Sequence, residues 1–337
     1  MTSKNTSVSN LTGRAVNHLS QQELDAEIAV YGSQPVTTSI AALISMFALI
    51  AVMQSKSLRN DKGMILLAGF FCCDILQSVA RQAMAWQALY DLLTYGGKVK
   101  RTLSQCLVMP GPHLIALAEF INPTLTMVFG IDRCLAIFAF YWYWKQSNHY
   151  AFCILACADL ATFAGYLTGL SMAFKFGFSS EILGLGCRMN GAFGWEFPVW
   201  FTCYQCISGW IGFFSIVIAT ATTIFKAKRY RNQPQSVANY QSHLKITKYF
   251  LGIGSITFVL VVLPKTLLAL QRFVQVSVFP TNTNPSQLFN VIMPASSPLN
   301  IALLVHLNAE FKEQLIRLAF CSREAKSEQV VSMFRSK

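Results

Sequence analysis

Charge is scarce in this chain. Only 12% of its 337 residues are Asp, Glu, Lys or Arg, whereas 53% are apolar. Soluble domains carry about one quarter charged residues, so a solvated globular surface is excluded. Acidic residues are the scarcer sign, 15 against 27 Lys and Arg. Catalytic constellations are also lacking: there is no Walker loop, no H-E-x-x-H and no G-x-S-x-G, and His18, His113, His149, His243 and His306 are scattered. An enzyme or a metal centre is therefore not expected. No internal repeat supports an inverted-repeat transporter. The first 35 residues are polar and lack the apolar core of a signal peptide, so no cleavable leader is expected.

The apolar residues are clumped. Seven stretches are long enough to cross a bilayer: Val36–Gln54, Gly63–Leu89, Cys106–Phe140, Ala151–Ala173, Trp195–Phe225, Ile246–Leu270 and Leu288–Leu307. They are rich in Leu, Ile, Phe, Ala and Gly and lack the short alternating segments of a membrane barrel, which predicts helices. The expected fold is an all-α membrane protein, a seven-transmembrane helix bundle. It divides into a tail over 1–35, the bundle over 36–307, and an amphipathic helix and tail over 308–337. That last helix is predicted from Phe311–Phe320, where apolar and charged residues repeat at helical spacing.

Lys and Arg set the orientation, since they are retained on the cytoplasmic side. One set of loops and the C-terminal tail hold seventeen; the opposite side holds eight. The N-terminus is thus expected outside. The net charge of +12 follows from this asymmetry and from contact with anionic lipid, so nucleic acid is not needed as a partner. Two N-glycosylation sequons, at Asn5 and Asn10, fit an extracellular tail. Seven of ten cysteines (Cys72, Cys73, Cys134, Cys153, Cys157, Cys203 and Cys206) fall in spans, where they read as small packing residues. Cys321 falls on the inner side. Only Cys106 and Cys187 meet in an oxidising compartment, which predicts a disulfide; the bland alternative is two unpaired thiols.

One ionisable pair stands out. Asp132–Arg133, in Val-Phe-Gly-Ile-Asp-Arg-Cys-Leu-Ala-Ile, ends the third span beside the aromatic run Tyr141–Trp144. Charges at such a boundary mark function more often than not. The bland alternative is that Arg133 snorkels, and the aromatics read as an interfacial belt. Seven spans, an outer cysteine before the third, another in the following outer loop, and Asp-Arg at its inner end together resemble the rhodopsin-like G-protein-coupled receptors. Asp74 in LLAGFFCCDIL is similar to that family's helix-two aspartate, and Phe258 precedes Pro264 in FVLVVLP as in its helix-six pattern. The runs GIDRCLAIFAFYW and CCDILQSVARQ look most like the nematode serpentine chemoreceptors of Srsx type. The chain departs from the family at Val262 where it has tryptophan, at Cys134 after the Asp-Arg pair, and at Ile301 and Leu304 after Asn300. Helix four has no tryptophan.

The resemblance implies a receptor that binds an extracellular ligand, a small molecule or peptide, and activates a heterotrimeric G protein. Asp132, Arg133, Lys226, Lys228, Arg229, Lys245 and Lys248 would form the coupling face. Asp74, Phe258, Pro264, Pro298 and Asn300 would form the activation network, with water or a sodium ion near Asp74 and Pro298 supplying the helix-seven bend. Cys321 is the lipidation candidate. Helix geometry sets Arg81, Glu119 and Lys265 at similar outer depth, where that family's ligands sit. The alternative is that Arg81 and Lys265 reach headgroups while Glu119 pairs with one of them for structure alone. A seven-span transporter or channel is the second functional expectation; it would need a continuous polar path.

Overall fold

The computed structural model describes residues 21–96, 100–175, 181–183, 187, 193, 196–229, 234–274 and 293–319. They are helical almost throughout. Helices α1 (Gln21–Gln54), α2 (Lys56–Arg59) and α3 (Lys62–Tyr95) lead to strand β1 (Lys100–Thr102) and helix α4 (Leu103–Val108). Helices α5 (Pro110–Phe138), α6 (Phe140–Lys145) and α7 (His149–Lys175) precede strand β2 (Glu181–Leu183). Next come α8 (Glu196–Arg229) and α9 (Pro234–Thr257), which continues through a π-helical segment, Phe258–Val262, into α10 (Leu263–Val274). A 3-10 turn at Met293–Ala295 opens α11 (Ser296–Leu307), and α12 (Ala309–Ala319) follows.

Six stretches among the described residues are long and apolar enough to cross a membrane: Glu27–Gln54, Lys62–Tyr95, Pro110–Phe138, His149–Lys175, Val199–Arg229 and Ile246–Gln271. Each overlaps an expected span. The expected seventh, Leu288–Leu307, lies partly outside the described residues, and α11 is its described part. Two boundaries differ from expectation. Helix α1 begins at Gln21, inside the tail assigned to 1–35, because backbone hydrogen bonding continues into the polar sequence. The third span starts at Pro110, since Met109 is extended (ψ 133°) and Cys106 belongs to α4. Pro at the first helical position loses no hydrogen bond there.

Local chemistry accounts for the other ends. Asp61 caps α3, its carboxylate accepting from Gly63 N at 2.7 Å. The helix stops at Gly96, whose φ of 58° is left-handed and costs glycine nothing. The π segment lies just before Pro264, where a missing N–H loosens the ladder. Pro298 sits in the first turn of α11 and does not bend it; the break is the 3-10 turn at Met293–Ala295.

Packing divides into two centres. At one end of the bundle Phe70, Phe129 and Phe250 meet, with ring centroids 6.0 and 5.2 Å apart. Here α12 docks through fully buried Phe311 against Phe71, and Glu310 accepts from Ser55 and Ser57 at 2.9 and 3.1 Å. At the opposite end Phe120 packs among Phe193, Phe197, Phe201 and Tyr204. Between them α5 and α8 come backbone to backbone: a Cβ on Gly130 would lie 2.5 Å from Gly212 O, and one on Gly212 2.5 Å from Thr126 O. Small residues permit such approach where lipid removes the hydrophobic drive between helices.

Cys106 and Cys187 form the expected disulfide, with Cα atoms 5.1 Å apart. The seven span cysteines are free. Two further ties act beside the disulfide. Strands β1 and β2 pair antiparallel, Arg101 opposite Ile182. Arg101 also grips fully buried Asp91 through two hydrogen bonds of 2.6 Å.

Candidate functional site

Arg133 does not reach a water-filled mouth. It is 1% exposed, and Asp132 is 0% exposed. The Arg133 Nε donates to Asp132 Oδ2 at 2.9 Å, and Nη2 donates to the same oxygen. Nη2 also donates to the Tyr143 hydroxyl at 2.7 Å. The guanidinium lies 4.8 Å from the Phe250 ring centroid and 5.7 Å from that of Tyr143. A buried charge is tolerable only when paired and hydrogen-bonded, and these contacts supply both.

Tyr143 is the residue that the sequence does not reveal. The aromatic run reads as a membrane belt, and Tyr141 and Trp142 do face outward, 69% and 47% exposed. Tyr143 is buried, because the helical turn α6 points one side of the run at the bundle. Burial pushes its phenol above the ordinary tyrosine range, which keeps it protonated. Lys62 covers the same ring at 4.9 Å and donates to Tyr143 O at 3.0 Å. The other basic residues expected here are spread out. Lys226 donates to Ile137 O at 3.0 Å, capping the end of α5; Lys228, Arg229 and Lys248 are exposed. The Lys245 side chain, Asn5, Asn10 and Cys321 lie outside the described residues. Cys134, where the resembled family has tyrosine, donates to Ser215 O at 3.3 Å.

Glu119 lies fourteen residues before Arg133, about 21 Å along α5 at 1.5 Å per residue. Its carboxylate separates two cations: Oε1 is 3.5 Å from Arg81 Nη2, and Oε2 is 3.5 Å from Lys265 Nζ. Gln205 Nε2 donates to Glu119 O at 3.1 Å and to Oε2 at 3.4 Å. The three residues at similar depth thus converge from α3, α5 and α10, and neither cation runs out to headgroups. A small cavity lies beside Glu119 and Lys265, lined also by Gln77, Asn122, Gln205 and Thr257. It has room for roughly one water molecule.

A second cavity of the same size lies between Asp74 and Arg81, bordered by Ser78, Met293, Ser296 and Ser297. Gln77 lines both cavities. Asp74 sits beside the Ser297 hydroxyl, which is 2.6 Å from that of Ser45. No direct bond joins Asp74 to Asn300. Among the described residues Asp74 Oδ2 and both polar atoms of the Asn300 side chain are buried without partners. Phe258 turns toward α8, stacked on Phe213 at 4.2 Å and meeting Trp210 edge-on at 4.7 Å. Trp210 Nε1 donates to Thr266 at 3.2 Å.

Neither a scan against protein-family models nor a search of curated proteins returns a match to this chain, so function is argued from this geometry.

Proposed function

We propose that this chain is a rhodopsin-like G-protein-coupled receptor, most similar to the nematode Srsx chemoreceptors. In this reading it has seven spans, with the N-terminus outside. Helix α11 is the inner part of the seventh span, and α12 is the amphipathic helix after it. The observation that carries the proposal is the buried Asp132–Arg133–Tyr143 lock at one end of α5, with a largely buried charged cluster about half the helix away toward the disulfide. The lock is a bonded state that can open. The cluster is a polar pocket beneath a stapled loop. Ligand at the cluster would favour an arrangement in which Arg133 leaves Tyr143 and meets a heterotrimeric G protein. Asp74 Oδ2 and Asn300 Oδ1, unpartnered among the described residues, are hard oxygen donors that suit a water or a sodium ion between these two ends.

A transporter needs a continuous polar path. The apolar Phe70–Phe129–Phe250 cluster between Asp74 and Arg133 weighs against one.

Expression of the full chain in cells tests the receptor reading. An N-terminal tag should be accessible on intact cells, and ligand-independent nucleotide exchange should be measurable on at least one G protein of a panel. Arg133→Ala should abolish exchange at unchanged surface expression. A tag reached only after permeabilisation overturns the orientation, and exchange unaffected by Arg133→Ala overturns the coupling role.

A further inference from the structure

Two arginine–carboxylate contacts within this bundle differ sharply. Arg101 meets Asp91 in the two-pronged way that satisfies a guanidinium, with two bonds of 2.6 Å. Arg81 is as buried, 8% exposed, yet reaches Glu119 through one nitrogen at 3.5 Å. Its only other acceptor among the described residues is the thioether of Met293, at 3.4 Å and a weak one. Glu119 cannot improve this contact, because its second oxygen serves Lys265 at 3.5 Å. One carboxylate is stretched between two cations. Among the described residues most of the guanidinium fork is left without an acceptor.

Formal charge repeats the shortage. Arg81, Lys265 and Glu119 sum to one excess positive charge, at side chains only 8%, 12% and 17% exposed. Gln77, Asn122 and Gln205 around them are neutral. The next carboxylate along α3, Asp74, is seven residues back, about 10 Å along the axis, and sits beside Ser297. It can offset some charge at that distance but cannot fill the donors of Arg81. Buried unpaired cations are costly, and the group that relieves this one must supply oxygen atoms and negative charge.

We infer that the cluster binds a ligand through a carboxylate, held two-pronged by Arg81 and bridged to Lys265. This deepens the receptor reading, since it takes the cluster to be that receptor's ligand pocket. The carboxylate competes with Glu119 for both cations, so Glu119 is the internal stand-in that the ligand displaces. The adjoining cavity, with room for about one water, must widen for anything beyond the acid group. Binding and rearrangement of α3, α5 and α10 are thereby coupled.

Thermal melting of the purified full chain in lipid nanodiscs tests this without a G protein. Acetate and benzoate serve as probes, each against its amide at equal ionic strength in sodium chloride. The acids should raise the melting temperature of the wild type by more than their amides do. Arg81→Gln and Lys265→Gln should each weaken the apparent affinity for benzoate at least tenfold, whereas the charge-conserving Lys265→Arg should keep it. Glu119→Gln, which removes the competitor, should tighten it.

If neither acid outperforms its amide at tens of millimolar, the inference is overturned. A shift produced by chloride alone overturns it in favour of a halide site, and an acid shift that survives both Arg81→Gln and Lys265→Gln places binding elsewhere. Benzoate binding without any G-protein response would retain the carboxylate site and sink the receptor reading. G-protein activation that is blind to both cations would do the reverse.

Discussion

The Arg133 guanidinium donates to the Tyr143 hydroxyl at 2.7 Å while holding Asp132, so the phenol closes one side of a buried charge pair. Tyr143→Phe removes that acceptor and leaves the ring stacking in place. A hydrogen bond to a charged group contributes about 1.5–3 kcal/mol. Loss of the lower figure shifts a two-state balance about tenfold toward the open form. The receptor reading therefore predicts raised ligand-independent nucleotide exchange for Tyr143→Phe, with near-normal surface expression. Unchanged basal exchange would show that Tyr143 only fills space.

The loop at the other end is tied three ways, by Cys106–Cys187, by the β1–β2 pair and by Arg101–Asp91. The disulfide closes a separation of 81 residues, and such a bridge typically contributes about 2–5 kcal/mol. Cys106→Ser and Cys187→Ser should each lower the melting temperature, and the double variant should melt where the single variants do. Asp91→Asn should also destabilise, because Arg101 then loses its partner in a buried setting. A Cys106→Ser protein that melts with the wild type would remove the bridge from the account of stability.

The residues that could be placed from sequence are those whose burial is decided by one-dimensional pattern. Phe70 and Phe129 belong to runs long enough to span a bilayer, and Cys106 and Cys187 share a side once the Lys and Arg asymmetry is counted. Arg81, Glu119 and Lys265 share a depth because helical rise is constant. Tyr143 escapes this reasoning, because a single turn of α6 decides which of four consecutive aromatics faces inward. Asp91–Arg101 escapes it too: the pair depends on where α3 ends, and that is set by Gly96 in a left-handed conformation. Gln21 to Gln34 are helical although polar residues interrupt the apolar ones there, so the extension shows no unbroken apolar run.

Gly130 and Gly212 bring two helices backbone to backbone, each standing where a Cβ would meet the other helix's backbone at 2.5 Å. Backbone cannot move aside as a side-chain tip can. Gly130→Ala and Gly212→Ala should therefore each cost at least the roughly 1–3 kcal/mol typical of overpacking. The two should not add, because either substitution already separates α5 from α8. Folded yield and melting temperature measure this. Full additivity would mean that each site relaxes on its own, without a common separation of α5 from α8.

Val262, where the resembled family has tryptophan, is explained by its neighbour across α8. A Cβ on Gly209 would fall 2.6 Å from Val262 Cγ2, so the valine already fills the gap to that helix. The indole is supplied from the other side: Trp210 reaches Thr266, one turn beyond Val262, with its Nε1 at 3.2 Å and packs edge-on against Phe258. The indole of this junction thus belongs to α8, and the π segment meets that helix with the Phe258 ring and the small Val262 side chain. Val262→Trp should destabilise by about 1–3 kcal/mol through overpacking. Trp210→Val should open a cavity and remove the indole that donates to the Thr266 hydroxyl, costing about 3–5 kcal/mol in a fully packed setting and less here, where Trp210 is only half-buried. If the two positions share one indole-sized space, the exchange Trp210→Val with Val262→Trp should recover part of both losses. Melting temperatures of the two single variants and the double variant form the cycle that decides it. A double variant that melts at the sum of the two losses would show that the spaces are separate, and that Val262 has no link to Trp210.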